Sequence, residues 1–289
     1  MQTVVLDGGM SNALEERGHD LTDALWSARL LRDAPTEIAT VHRAYYEAGA
    51  AVATTASYQA SVTGFERAGV PQDEAERLIA SSVSIAREVR DELAADGRKR
   101  LVAASVGPYG AVLADGSEYR GRYGLTAAAL REFHLPRLEL LLAAEPDLLA
   151  VETIPDVDEA EVLVGLLDEL GFPAWLSYSI DGDRTRAGQP LADAFAVTAR
   201  SVVAVGINCC APGDVQAAVE TAAAVSGKPV VAYPNSGEAW DAGGRRWTGG
   251  ATDSTTLAHD WVEAGAVYVG GCCRVGPQDI GALARALDA

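Results

Sequence analysis

VYVGGCCRVGP, residues 267–277, is an apolar run of strand length that breaks into two glycines, two adjacent cysteines and an arginine. Such a run reads as a strand buried on both faces whose C-terminal end opens onto something polar. The same pattern recurs outward along the chain. The eight runs are TVVLDGG (3–9), AAVATTAS (50–57), RLVAASVG (100–107), DLLAVETI (147–154), PAWLSYSI (173–180), VVAVGINCC (202–210), PVVAYPNSG (229–237) and AVYVGGCC (266–273). Stretches of helical period alternate with them at 36–50, 71–97, 126–145, 156–171, 191–200, 214–227 and 255–265, and QDIGALARALDA closes the series. Strict alternation of this kind predicts an α/β fold with a parallel sheet closed into a (β/α)8 TIM barrel. At 289 residues the chain is near the length of one such barrel, about 250 residues. No Pro/Gly/Ser-rich linker or charge block divides it, so one domain over 1–289 is expected.

Composition restricts the partners. The formal charge of −18, from 41 acidic and 23 basic residues, repels nucleic acid and anionic membrane surfaces, so a small-molecule substrate is expected. No apolar run reaches the length of a membrane span, and MQTVVLDGGMSNALEERG lacks the basic flank and apolar core of a signal peptide. A cytoplasmic setting follows as an expectation, with the four cysteines held as thiols or metal ligands.

The strand ends read DGG, TTAS, SVG, ETI, SYS, NCC, PNSG and GGCC, which gathers the cysteines with Asp7 and Glu152 on one end of the barrel. Adjacent cysteines such as Cys272 and Cys273 cannot easily close a disulfide on each other. The sixth and eighth strands have one strand between them, so their sulfurs can reach a common ion. Three thiolates with one open position suit a catalytic zinc, and Gly270 and Gly271 are expected to bend the chain so that both sulfurs face it. Four buried cysteines packing as small hydrophobes is the alternative. Both lysines, Lys99 and Lys228, precede strands at the opposite end, which disfavours Schiff-base chemistry. The histidines fall in helices or, for His19, in the first loop, and assemble no triad or histidine metal site. A zinc already held by thiolates is suited to binding a substrate thiol as a thiolate, a nucleophile in search of an electrophilic carbon.

GINCC (206–210) and GGCCR (270–274) resemble the two zinc-binding motifs of the homocysteine S-methyltransferase family, and the resemblance runs essentially from end to end. HDLTDALWSARLL (19–31), TTASYQAS (54–61), SVGPYGAVLADGSEYRG (105–121) and YPNSGE (233–238) are similar to the branch that uses S-methylmethionine or S-adenosylmethionine. The resemblance implies Cys209, Cys272 and Cys273 as the ligands of Zn2+, with Cys210 left as a packing residue. It implies that backbone amides at Asp7, Gly8 and Gly9 receive the carboxylate of homocysteine and that Glu152 receives its amino group. Trp26 matches an aromatic near the donor, where an indole face attracts a sulfonium cation, with a packing role as the alternative. Asn235 and Glu238, between the two cysteine-bearing strands, could position either amino acid, and Arg274 could be structural or balance the zinc–thiolate charge.

The expected activity is methyl transfer from a sulfonium to L-homocysteine, giving methionine without an organic cofactor or a protein nucleophile. Two alternatives stay open: a betaine or methyl-folate/cobalamin donor, and a zinc- or thiol-binding module without turnover. The cobalamin donor is expected to be the weaker of these, since 289 residues are filled by the barrel alone. The glycine- and tyrosine-rich segment 109–124 is a candidate lid or rim loop.

Overall fold

The computed structural model describes residues 3–22, 25–241 and 246–287. Eight parallel strands form the barrel: β1 (Val4–Val5), β2 (Val52–Thr54), β3 (Leu101–Val106), β4 (Leu148–Ile154), β5 (Ala174–Tyr178), β6 (Val202–Asn208), β7 (Val230–Tyr233) and β8 (Ala266–Val269). Each pairs with its sequence neighbour, and β1 pairs with β8 in the register Val4 to Tyr268 and Val5 to Val269. A parallel bridge from Leu6 to Val52 closes the last gap, so every strand of the cylinder has two neighbours. Closure removes the exposed edges of an open sheet.

The helices that follow the strands are α1 (Pro35–Ala48), α2 (Gln72–Glu92), α3 (Ala127–Ala143), α4 (Val157–Leu170), α5 (Leu191–Ala196), α6 (Val215–Ser226), α7 (Ser254–Ala264) and α8 (Pro277–Ala286). Local chemistry sets their ends. Thr126, Asp156 and Asp253 accept amide hydrogens at the starts of α3, α4 and α7. Each such cap stabilises by about 1 kcal/mol. In α2, Ala75, Ile79, Val83, Ala86 and Val89 recur every three or four residues and bury one stripe against the barrel.

Side chains of each strand alternate between two apolar regions. Leu149, Val151, Leu176, Val205 and Ile207 face outward into the large core beneath the helices. Leu6, Ala103, Leu148, Ala150, Trp175, Ala204 and Val231 fill the barrel interior. This period of two matters for function, because it decides which residue at each strand's C-terminal end points inward.

Two antiparallel hairpins that the sequence pattern does not reveal decorate this end, Ile180–Asp181 with Arg184–Thr185 after β5, and Ala239–Asp241 with Arg246–Thr248 after β7. The lysine expectation holds for Lys228, whose ammonium donates to Ala199 O at 3.2 Å ahead of β6. No described helix is long and apolar enough to cross a membrane.

Candidate active site

Counting inward positions toward the C-terminal ends, the apolar filling gives way to Ser105, Glu152, Ser177, Asn208 and Tyr233, all buried. Buried polar groups need partners, and these find one another. The Ser105 hydroxyl donates to Glu152 Oε1, and the Tyr233 hydroxyl donates to Glu152 Oε2 at 3.0 Å. Trp175 Nε1 donates to the Tyr233 oxygen at 3.0 Å, and Ser177 Oγ, 2.7 Å from the same oxygen, donates to Asn208 Oδ1 at 2.9 Å. Asn208 Nδ2 donates to Thr153 Oγ1, while Asn208 Oδ1 accepts from Thr153 N, both at 2.7 Å. Thr153 has a φ of 59°, beside a register shift of β4 against β5 between Val151 and Ile154. Strained backbone of this sort concentrates at functional sites.

Burial pushes the Glu152 carboxyl up to about 7 although two hydroxyls donate to it, and the nearby Cys209 charge adds to the rise. Asp7 is pushed up to about 8 by burial, against the opposing donation of Thr54 N at 2.6 Å and Thr54 Oγ1 at 2.9 Å. The two acids also repel one another. A pair of buried carboxyls with raised affinity for protons is prepared to receive a cation.

The sulfurs lie beside this acidic layer. Cys209 directly follows β6 with a φ of 50°, and Cys272 and Cys273 follow β8. All three Sγ atoms lie within 4.8 Å of one another, and Cys209 Sγ is 3.7 Å from Cys273 Sγ. The loop after β8 is stitched from both sides: Gly271 N donates to Asp7 O, Cys272 N to Pro234 O, Cys273 N to Asn235 Oδ1, and Ser236 N to Cys273 O. Hydrogen bonds from Cys272 and Cys273 hold the Cys209 thiol well below its usual range, and the negative Cys209 in turn drives the other two up. Thiolates this close repel one another, so a cation among them stabilises the set.

The donor set fits zinc. Zinc–sulfur bonds of about 2.3 Å in a tetrahedron set two sulfurs about 3.8 Å apart, which the Cys209–Cys273 separation matches. Cys210 stands outside the cluster, fully buried in the outer apolar core, where burial pushes its thiol up. Gly270 and Gly271 serve a different purpose from the bend expected of them. Neither has a positive φ; instead an added Cβ on Gly271 would lie 2.1 Å from Val275 Cγ1.

The remaining sequence candidates are distributed as follows. Gly8 and Gly9 let the β1 turn press on the β8 loop, since added Cβ atoms would lie 2.2 Å from Val275 O and 2.6 Å from Cys272 O. Of the three amides of the turn, Asp7 N donates to Val52 O and Gly9 N to Val275 O. Asn235 holds Cys273 through its side-chain oxygen at 3.1 Å. Glu238 forms a paired contact with Arg274, Oε2 to Nε at 3.0 Å and Oε1 to NH2 at 3.3 Å, and accepts from Ser236 Oγ at 3.0 Å. Trp26 opens a one-turn 3-10 helix, Trp26–Arg29, between β1 and α1, half-buried with a φ of 47°. Of the histidines, His42 and His134 are buried in helices, His134 Nε2 lying 2.8 Å from Glu159 Oε1.

Sequence reasoning left two groups out. The inward polar residues Ser105, Ser177, Asn208 and Tyr233 could have been found by extending the strand parity one step past the apolar filling. Tyr119 could not. It belongs to a 3-10 turn, Ser117–Tyr119, in the segment after β3, and its hydroxyl lies 3.3 Å from Cys209 Sγ. The segment 109–124 is thus partly ordered, beginning with a short helix at Tyr109–Leu113, and it reaches the sulfur cluster.

A family model described as homocysteine S-methyltransferase matches residues 4–287. The chain is 46% identical to homocysteine S-methyltransferase 4 of Zea mays over 98% of this chain and 89% of that protein. It is 45% identical to homocysteine S-methyltransferase of Escherichia coli K12 over 97% of this chain and 94% of that one. The metallated form of the Escherichia coli homocysteine methyltransferase MmuM superposes with a TM-score of 0.89 at 42% identity, covering 98% of this chain and 96% of that structure. The chain belongs to the homocysteine S-methyltransferase family and is a methyltransferase.

Proposed function

We propose that this protein moves a methyl group from an amino-acid sulfonium, S-methylmethionine or S-adenosylmethionine, to the thiol of L-homocysteine, forming methionine, with zinc held by Cys209, Cys272 and Cys273. The barrel over 1–289 is the homocysteine-binding unit. The observation that carries the reading is the convergence of three sulfurs within 4.8 Å beside the buried Glu152 carboxyl. Zinc bound there would supply an open position in which a thiol loses its proton near neutral pH and is held as a nucleophile.

The chain's own residues bind and orient. Glu152, braced by Ser105 and Tyr233, takes the ammonium of homocysteine, and a buried charge-assisted bond of this kind is worth about 2–3 kcal/mol. Asp7, held neutral near pH 7 by burial, leaves that ammonium to Glu152. The amide of Gly8 is the donor to the carboxylate, because its neighbours in the turn already donate to Val52 O and Val275 O. Asn235 acts by fixing the Cys273 backbone, and the Glu238–Arg274 pair by bracing the same loop. Trp26 is assigned to the donor side, as a wall against the sulfonium.

In the transfer, the homocysteine sulfur's electron pair forms the new S–CH3 bond as the donor's S–CH3 bond breaks and its pair returns to the donor sulfur. Thiolate and sulfonium charges vanish together. Orienting the two reactants in line lowers such a barrier by several kcal/mol, on the order of 7 or more for ideal alignment. Metal analysis with a donor panel tests the reading. About one zinc per chain is expected, with methionine formed fastest from S-methylmethionine and slowest from betaine. Betaine outpacing both sulfoniums would refute the donor, and zinc binding without methionine formation would leave a thiol-binding module.

A further inference from the structure

The 3-10 turn that brings Tyr119 to Cys209 also buries an acid with no assigned role. Glu118 is 4% exposed, and its Oε2 atom, shielded from solvent, has no hydrogen-bond partner. An orphaned carboxyl oxygen in a protein interior is costly unless a ligand answers it. A second orphan is nearby. The Tyr58 hydroxyl, in the loop after β2, is likewise shielded; it lies near Thr153 without a hydrogen bond of ordinary geometry, and close enough to Glu118, Cys209 and Glu152 to feel their charges. Glu118 in turn feels Cys209, and its own turn packs on β4, the strand that carries Glu152. Through Tyr119, whose hydroxyl lies 3.3 Å from Cys209 Sγ, the turn that carries Glu118 borders the sulfur cluster.

Carboxyl groups gather at this end of the barrel. Glu118 and Glu152 are both buried, and Asp7 is a third buried carboxyl that burial keeps neutral near pH 7. The buried guanidinium of Arg137 donates to Gly107 O at 2.9 Å, Ser57 O at 2.7 Å and Tyr58 O, which fixes the Tyr58 loop; its charge also reaches Glu152, while Arg120 acts on Glu118 without bonding its buried Oε2. Homocysteine brings one cation, and Glu152 is placed for it. Of these buried carboxyls Glu118 has an oxygen without a partner, which leaves it for a second cation.

We propose that Glu118, with the Tyr58 hydroxyl beside it, is the specificity-determining subsite for the positively charged sulfur of the methyl donor. The assignment rests on the sulfonium reading above and deepens it. The charge on the donor sulfur disappears in the transition state, so a carboxylate that attracts it binds the ground state and does not accelerate the chemistry. Glu118 selects the donor over its own demethylated product, which has the same amino-acid end and a neutral thioether.

The test uses the zinc-loaded, full-length protein with S-methylmethionine varied at saturating homocysteine, and with methionine titrated by calorimetry. Glu118→Gln should raise the KM for S-methylmethionine about tenfold with kcat unchanged or higher. Zinc content, homocysteine KM and methionine affinity should stay at native values. Tyr58→Phe should raise the same KM by about threefold, and it reads the subsite even if the Glu118 variant does not fold. A native donor KM in Glu118→Gln, or a fall in kcat alone, would overturn the assignment. Equal weakening of S-methylmethionine and methionine would overturn it too, by placing the carboxylate on the ammonium. Failure of the underlying donor reading shows separately, in a native enzyme that uses betaine and not S-methylmethionine.

Discussion

Two segments border the sulfur cluster, and they are held by different means. The loop after β8 is fixed by backbone: Gly271, Cys272 and Cys273 each donate an amide, to Asp7 O, Pro234 O and Asn235 Oδ1, and glycines at 8 and 9 let the β1 turn close on it. The Ser117–Tyr119 turn reaches the cluster through side chains. One of them makes a contact of 3.3 Å to Cys209 Sγ, and another ends in an unpartnered carboxylate oxygen. The first segment is complete as a metal-holding frame. The second has polar atoms left over, which is the state expected of a surface completed by substrate.

The strongest way to break that comparison is to remove the sulfurs. Cys209→Ser, Cys272→Ser and Cys273→Ser should each lower zinc from about one per chain and abolish transfer, because a catalytic site with three protein ligands tolerates no loss. Cys210→Ser should keep zinc and activity, since that thiol lies in the outer apolar core and is not among the three clustered sulfurs. Metal analysis of the four variants decides it. A dispensable Cys209 beside an essential Cys210 would reverse the ligand assignment.

The same contrast explains what was legible in the sequence. The barrel could be read because each strand is a short apolar run with punctuation at its end, and the eight observed strands fall inside the eight runs. The cysteine loops could be read because motif and backbone geometry coincide there. Ser105, Ser177, Asn208 and Tyr233 lay within reach of the period-two argument, yet a lone serine at a strand end looks like a turn residue. Glu118 and Tyr119 were beyond reach, since their position depends on how a loop folds back over the barrel mouth, and no local periodicity encodes that. The Arg137 clamp that holds the loop after β2 is also a tertiary event, a buried arginine in α3 bonding carbonyls some 80 residues away.

A smaller effect is expected from Glu152, which lies between the two regimes: its oxygens are partnered by Ser105 and Tyr233, and it still has to answer a substrate charge. Glu152→Gln should weaken homocysteine binding by about 2–4 kcal/mol while zinc content is unchanged. The pH dependence has a definite sign. The carboxyl is pushed up to about 7, and only its ionised form attracts an ammonium, so native homocysteine affinity should strengthen as pH rises through that value. The Gln variant should keep only the part of the rise that comes from release of the thiol proton, and so should show a shallower profile. Calorimetric titration between pH 6 and 8 in both proteins, on the order of one unit either side of the transition, is the measurement. An identical pH profile in the two would remove Glu152 from homocysteine recognition.

The smallest effect should come from Tyr119, and it sharpens the comparison most. Its hydroxyl contacts Cys209 Sγ, but nothing in the backbone frame of the cluster depends on it: the three sulfurs are positioned by the β6 and β8 ends and by amide bonds to Asp7, Pro234 and Asn235. Removing one hydrogen bond of this kind costs about 0.5–1.5 kcal/mol, so Tyr119→Phe should lower kcat/KM by roughly two- to tenfold. Zinc content should remain near that of the native protein, because a phenylalanine ring keeps the packing of the turn and leaves every ligand in place. If the turn acts only by covering the mouth, the loss should appear mainly in the donor KM. If the hydroxyl tunes the sulfur, it should appear in kcat. Zinc loss on the scale of a cysteine substitution would erase the distinction, since it would make the turn part of the metal frame.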